Sequence, residues 1–153
     1  MKTLVLGIGN DILGDDGVGI HIVRKLMPLV KNADITVEES AASGIALLER
    51  IRGYQRLIIA DALLTDKTEA GKIHRLTLED ISTTNNSFTA HEAALAATIE
   101  LGNSLFPGEM PTEVVVYAVQ TRDVKQVTGK MTPVVKAAVP HAVKMIMAEI
   151  GEE

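Results

Sequence analysis

The chain has no cysteine and no tryptophan in 153 residues, and only two tyrosines and two phenylalanines. Without cysteine there can be no disulfide, no thiolate metal site and no thiol nucleophile. With aromatics at 3% and hydrophobic residues at 46%, the core has to be built from Val, Ile, Leu and Ala. Positive charge is also in short supply. Fifteen Lys and Arg stand against twenty Asp and Glu, a net charge of −5, and no basic cluster appears. That balance argues against a nucleic-acid surface. No uninterrupted apolar run approaches the ~20 residues of a membrane span. The N-terminus lacks the charged-then-apolar pattern of a secretion signal. The expectation is one soluble, cytoplasmic domain over residues 1–153, with no nucleic-acid or membrane partner, and a monomer.

What is present is an alternation of short apolar runs and amphipathic stretches. Thr3–Leu6 reads as a strand, followed by a turn holding Gly7, Gly9 and Gly14. Gly17–Met27 has helical spacing, with Val23, Leu26, Met27 and Val30 on one face and Pro28 ending it. Ile35–Glu38 reads as a strand and Gly44–Ile51 as a helix. Arg56–Ala60 is a near-continuous apolar run, the pattern of a strand buried on both faces. Ile73–Leu78 alternates like an edge strand whose polarity the sequence leaves open. Asp80–Ser87 is polar and reads as a loop, Ala90–Leu101 as an alanine-rich helix, and Val114–Val119 as a further buried strand. Thr132-Pro133 opens a C-terminal helix with Thr as its cap, and Pro140 is expected to kink or split it. Strands alternating with helices predict an α/β fold, with a mostly parallel sheet covered on both faces.

Three positions can carry chemistry. Asp15 and Asp16 follow the first glycine turn. One carboxylate suffices to cap a helix, at ~1 kcal/mol, so two adjacent like charges ask for a second role. Asp61 closes the run Leu57-Ile-Ile-Ala-Asp61 and is expected near the carboxyl end of a buried strand, where open α/β sheets hold their ligand crevice. Its plainer role is a turn Asp accepting backbone N–H bonds. His91 follows Thr89-Ala, and Thr89 with Glu92 has capping-box spacing, which sets His91 in the first turn of a helix. The positive end of the helix dipole disfavours an imidazolium there and leaves a nitrogen free for metal. An exposed histidine without a role is the plainer alternative. In a parallel sheet, strand carboxyl ends and the amino ends of the following helices share one rim. Asp16, Asp61 and His91 should all reach it, and two carboxylates with an imidazole suit a divalent transition metal.

Other motifs carry less. Gly7-Ile-Gly9 approaches a dinucleotide fingerprint, but Ile12 stands where the third glycine belongs. His91-Glu92 is not a zinc-protease HExxH, because Leu95 occupies the last position. Ser43 lacks a GxSxG context and reads as a helix-start cap. His21, His74 and His141 read as surface or partly buried residues. Asn10 either hydrogen-bonds across the glycine turn or contacts a peptide backbone.

The run Gly7-Ile-Gly-Asn-Asp-Ile-Leu-Gly-Asp-Asp-Gly-Val-Gly19 closely resembles the N-terminal motif of the hydrogenase maturation proteases. Ile58-Ile-Ala-Asp-Ala62 resembles that family's second block, and His91 before a helix its third. The resemblance implies a three-layer α/β/α sandwich with a mixed, mostly parallel sheet. It implies an endopeptidase that removes the C-terminal extension of a nickel–iron hydrogenase large-subunit precursor after nickel insertion. The family's proposed nickel-contacting residues fall on Asp16, Asp61 and His91. Nickel would arrive with the substrate and serve as its recognition signal, while zinc or cadmium can occupy the site in vitro. Many members carry a Gly-Gly-Thr loop after the second strand, whereas this chain has Glu39-Ser-Ala-Ala-Ser-Gly44.

Two mechanisms remain open at this level. Metal at the site can polarise the scissile carbonyl or acidify a water, or a carboxylate can act as general base. The competing functions are a non-proteolytic, metal-checking chaperone of the hydrogenase large subunit and a nucleotide-binding module. The broken glycine fingerprint speaks against the nucleotide module.

Overall fold

The computed structural model describes residues 1–10, 14–64, 69–82, 90–121 and 130–152; the side chains of residues 82, 90 and 91 are not among those described. Five strands form one sheet: β1 Thr3–Ile8, β2 Ile35–Ser40, β3 Arg56–Leu64, β4 Ile73–Thr77 and β5 Glu113–Thr121. The helices are α1 Val18–Leu26, α2 Gly44–Ile51, α3 Leu78–Ser82, α4 Ala90–Leu105 and α5 Pro133–Glu149, with a 3-10 turn at Gly14–Gly17 before α1. The strand order is β2-β1-β3-β5-β4. All pairings are parallel except that of the edge strand β4, which runs antiparallel to β5 and so resolves the polarity the sequence left open.

Strand alternation sorts the core into two layers, one on each face. Leu4, Leu6, Leu57, Ile59, Val114 and Val116 pack against α2, α3 and α4 through Leu47, Leu48, Ile51, Ile81, Leu95 and Ile99. On the other face, Val5, Ile58, Val115, Tyr117 and Val119 pack against α1 and α5 through Ile22, Val23, Leu26, Val135, Val139 and Ile146. The result is the three-layer α/β/α sandwich, with a core that is mainly aliphatic among the described residues and whose aromatic members are Tyr117 and the partly buried Tyr54 and Phe106.

Several elements differ from their sequence reading. Gly7 lies inside β1 rather than in the turn, because β1 runs on to Ile8. β3 continues to Leu64, so Asp61 sits within a strand instead of closing it; Ala62 and Leu63 are as buried as the residues before it. Asp80 belongs to the short helix α3, not to a loop. Thr77 N–H and Oγ1–H donate to Asp80 Oδ2 at 2.8 and 3.0 Å, and Asp80 N–H returns a bond to Thr77 Oγ1 at 3.2 Å, a reciprocal cap. Residues 83–89, including Thr89 of the expected capping box, lie outside the described residues. Met27 is 40% exposed and leaves the buried face of α1, which Ile22, Val23 and Leu26 form instead. Pro140 does not split α5, which runs unbroken from Pro133 to Glu149.

Candidate functional site at the carboxyl edge of the sheet

The site begins with glycines that let α1 lie directly on the strand ends. A Cβ on Gly19 would overlap the carbonyl oxygens of Ala60 and Ile8, and one on Gly7 would overlap the Gly19 carbonyl and the Val23 side chain. Gly9 has φ +150°, and a Cβ there would run into the Asp16 carbonyl. Only glycine suits such a close approach. The Gly14–Gly17 turn is thereby pressed onto the ends of β1 and β3, and it brings the Asp15-Asp16 pair with it.

The two aspartates do different work, and neither caps α1: the N-cap is Gly17, which has no side chain, and their carboxylates bond to Asn10 and Thr132. Asp15 is buried at 2% exposure. Its Oδ1 accepts Thr132 N–H at 2.7 Å and its Oδ2 accepts Thr132 Oγ1–H at 2.9 Å. The carboxylate therefore ties the first turn of the chain to the start of α5, and the Thr132 hydroxyl is spent on Asp15 instead of capping its own helix. Asp16 is half-buried. Its Oδ2 accepts Asn10 N–H at 3.0 Å, and its Oδ1 has no partner among the described residues. Asn10 thus bonds across the glycine turn through its backbone N–H. Beside it lies a cleft of about 250 Å³ bordered by Asn10, Ser40 and the Arg24–Glu39 ion pair, with Arg24 Nε to Glu39 Oε2 at 2.8 Å. The Arg24 hydrogen bond holds the Glu39 carboxyl below its ordinary range. Glu39 lies near the end of β2, at the start of the segment Glu39–Gly44 in which this chain departs from the Gly-Gly-Thr pattern.

Asp61 is 3% exposed on β3, and its Oδ1 accepts Ala62 N–H at 2.8 Å. Pairing of β1 with β3 ends at Gly7–Ala60, whereas β3 stays paired with β5 as far as Leu64–Thr121. Asp61 is thus the first residue beyond the rim on the β1 side, next to the Gly14–Gly17 turn, although it is interior to the ladder on the β5 side. Alternation along β3 sets it on the α2/α4 face, between Ile59 and Leu63.

His91 is the second residue of α4. The segment following α4 is fixed at the amino edge of the sheet, where Gly53 N–H donates to Glu109 O at 2.8 Å and Thr112 N–H to Gln55 O at 2.9 Å. A sixteen-residue helix spans ~24 Å at ~1.5 Å per residue, so the backbone of the first turn of α4 stands at the opposite, carboxyl edge. The imidazole lies outside the described side chains. Among the described residues, no three His, Asp or Glu side chains form a metal-sized cluster. Glu92, next to His91, is 2% exposed.

The part of the site that sequence reasoning missed is Thr132. It lies 117 positions from Asp15, beyond the reach of local patterning. The only cue was the aspartate pair itself, in which one carboxylate needed a partner.

A sequence profile described as hydrogenase maturation protease matches residues 20–149, beginning just after the Asp15–Asp16 turn. The chain is 29% identical over 154 residues to the hydrogenase 2 maturation protease of Escherichia coli K12, an alignment covering 99% of this chain and 92% of that protein. Its fold is similar to that of the hydrogenase maturating endopeptidase HybD from E. coli, with a TM-score of 0.83 at 27% identity over 98% of this chain and 92% of that one. The solution structure of an endopeptidase from E. coli gives a TM-score of 0.79 at 28% identity, covering 100% of this chain and 96% of the other. No described helix is long and apolar enough to cross a membrane. Profile, relatives and fold agree over nearly the whole length, and the chain belongs to the hydrogenase maturation protease family, whose members are peptide-bond hydrolases.

Proposed function

We propose that this protein is an endopeptidase that removes the C-terminal extension of a nickel–iron hydrogenase large-subunit precursor once nickel is in place, and that Asp16, Asp61 and His91 engage the nickel carried by that precursor. The observation that carries this reading is the state of Asp16. Its carboxylate is pinned through Oδ2 by Asn10 N–H, while Oδ1 has no partner among the described residues, at the edge where Asp61 leaves its β1 neighbour. A carboxylate held in this way has lost much of its rotational freedom before any ligand arrives, which lowers the entropic cost of coordination.

The donor set suits a visiting metal better than a resident one. Two carboxylates and one imidazole, with no thiolate in the chain, bind copper more tightly than nickel and accept zinc as well, so affinity alone does not single out nickel. Selectivity for nickel then has to come from the precursor's own preloaded site. A nickel ion so presented supplies Lewis acidity that polarises the adjoining carbonyl or acidifies a water. The protein's residues fix the geometry. Asp61, buried and bonded to the backbone of Ala62, is the rigid ligand. Asp16 is the more accessible carboxylate and the group suited to take a proton from the attacking water.

The test is incubation of the purified protein with nickel-loaded precursor, followed by intact-mass spectrometry. Wild type should yield one shortened large subunit and one released peptide. Asp16→Ala and His91→Ala should yield neither while retaining wild-type circular dichroism. A precursor that is bound but never shortened by wild type would contradict the protease reading in favour of a metal-checking chaperone.

A further inference from the structure

On the α1/α5 face the protein carries a groove of about 980 Å³, at the upper end of the ~300–1,000 Å³ usual for ligand clefts. Its floor is apolar, built from Leu29, Met131, Val139 and Val143. Lys25, Lys130, Lys136 and His21 also line it, and among the described residues no Asp or Glu does. Three lysines around an apolar trough are notable in a chain of net charge −5. The ammonium groups of Lys25 and Lys136 are exposed and join no ion pair among the described residues. Pro140 also lines the groove, and it has no N–H to donate to the carbonyl of Lys136, four residues earlier on the same wall. The i→i−4 hydrogen bond from position 140 to the Lys136 carbonyl is therefore missing in this wall. Continuity with the site is direct. Lys130 and Met131 lead into Thr132, which is bonded to Asp15, the neighbour of Asp16.

We infer that this groove is the docking site for the segment of the precursor that is cut away: an extended stretch of aliphatic and acidic residues ending in a free carboxylate. The inference rests on the proposed removal of a C-terminal extension, because any such extension bears the chain's terminal α-carboxylate. Aliphatic side chains cover the apolar lining between Leu29 and Val143, and carboxylates meet Lys25 and Lys136. The charge match steers the extension toward Asp16, and the apolar floor sets its direction over the sheet edge.

The probe is a fluorescein-labelled hexapeptide, Val-Glu-Leu-Glu-Ala-Val, with a free C-terminal carboxylate. It is compared by fluorescence anisotropy with a twin carrying Lys for Glu and a C-terminal amide. The full chain should bind the acidic peptide at least about tenfold more tightly than the twin, with the preference falling as salt rises. The double variant Lys25→Glu/Lys136→Glu, altered only at exposed positions, should lose that preference. With nickel-loaded precursor, the same variant should process with KM raised about tenfold and kcat unchanged. Equal binding of the two peptides, an unchanged preference in the double variant, or wild-type KM in that variant would each overturn the inference. Failure of the protease reading looks different: wild type leaves the precursor whole, while the peptide comparison still decides whether the groove takes an acidic segment.

Discussion

Replacing Asp15 by alanine should damage the fold, whereas the same change one residue later should damage only the reaction. Asp15 is 2% exposed and accepts both polar hydrogens of Thr132, at 2.7 and 2.9 Å. Hydrogen bonds to a charged group contribute ~1.5–3 kcal/mol each, and losing both would cost ~3–6 kcal/mol if nothing compensated. Two effects offset part of that. Thr132 is exposed, so water can take over its N–H and hydroxyl, and removing the buried charge also removes its desolvation cost. A net loss of ~2–4 kcal/mol follows, and at ~2–4 °C per kcal/mol for a domain of this size the Tm should fall by ~5–15 °C. Thr132→Val keeps the backbone bond and loses only the hydroxyl bond, so it should cost ~1–1.5 kcal/mol. In a double-mutant cycle the Asp15→Ala and Thr132→Val effects should couple by ~1 kcal/mol, because they share one contact. Asp16→Ala removes one exposed bond, from Asn10 N–H, and should cost less than ~1 kcal/mol. Thermal and urea unfolding of the four variants decide the matter. An Asp15→Ala protein melting within ~2 °C of wild type would refute the clamp between the first turn and α5.

Gly19→Ala should be among the most damaging single-methyl additions in the chain, since the new Cβ meets the backbone oxygens of Ala60 and Ile8, which cannot move as a side chain can. Urea unfolding should show a loss at or beyond the ~1–3 kcal/mol typical of overpacking, and a wild-type midpoint would refute the close approach. Glu149→Gln should remove a pH-dependent part of the stability. The Arg75 hydrogen bond, with lesser help from the Tyr117 hydroxyl and the Arg75 and Arg56 charges, holds the Glu149 carboxyl below its ordinary value of 4.5. A depressed carboxyl stabilises the fold above its unfolded pKa and loses that contribution as pH falls through the folded value. The urea midpoints of wild type and Glu149→Gln should therefore differ at pH 7 and draw together as pH falls below the carboxyl's ordinary 4.5; parallel curves would mean that the network around Glu149 contributes no pH-linked stability.

The sequence carried the layer plan but not the long-range joints. The apolar runs at Leu57–Ala60 and Val114–Val119 marked central strands because both of their faces are covered, and the periodicity of Gly44–Ile51 matched its helix end for end. β3 was read as stopping at Asp61 because a carboxylate breaks an apolar run. In the fold, that carboxylate sits where one neighbouring strand has ended and the other continues, a condition set by pairing and invisible to local pattern. The helix α3, five residues long, offers no periodicity to read, and its cap residues Thr77 and Asp80 were the only cue. The sequence predicts a kink or a split at Pro140; α5 is not split, because only the donor is missing there and Val139 and Ala142 still pack on either side of it. At the site, Asp16 is legible as a carboxylate just before a helix, whereas Asp61, read as closing a strand, lies within β3. The division of labour within Asp15–Asp16 is not legible, because it depends on Thr132.

Whether nickel is the signal for cleavage can be measured directly. Metal-free, zinc-loaded and nickel-loaded forms of the same large-subunit precursor are incubated with the protein and followed by intact-mass spectrometry. Three carboxylate and imidazole donors with no thiolate accept nickel and zinc alike and bind copper more tightly than nickel, so an all-or-none choice of nickel has to come from how the precursor presents its metal. The expected result is a shortened large subunit from the nickel-loaded precursor alone, lost on Asp16→Ala. Equal shortening of all three forms would contradict the proposal and leave the carboxylates at the sheet edge with a role other than reading nickel.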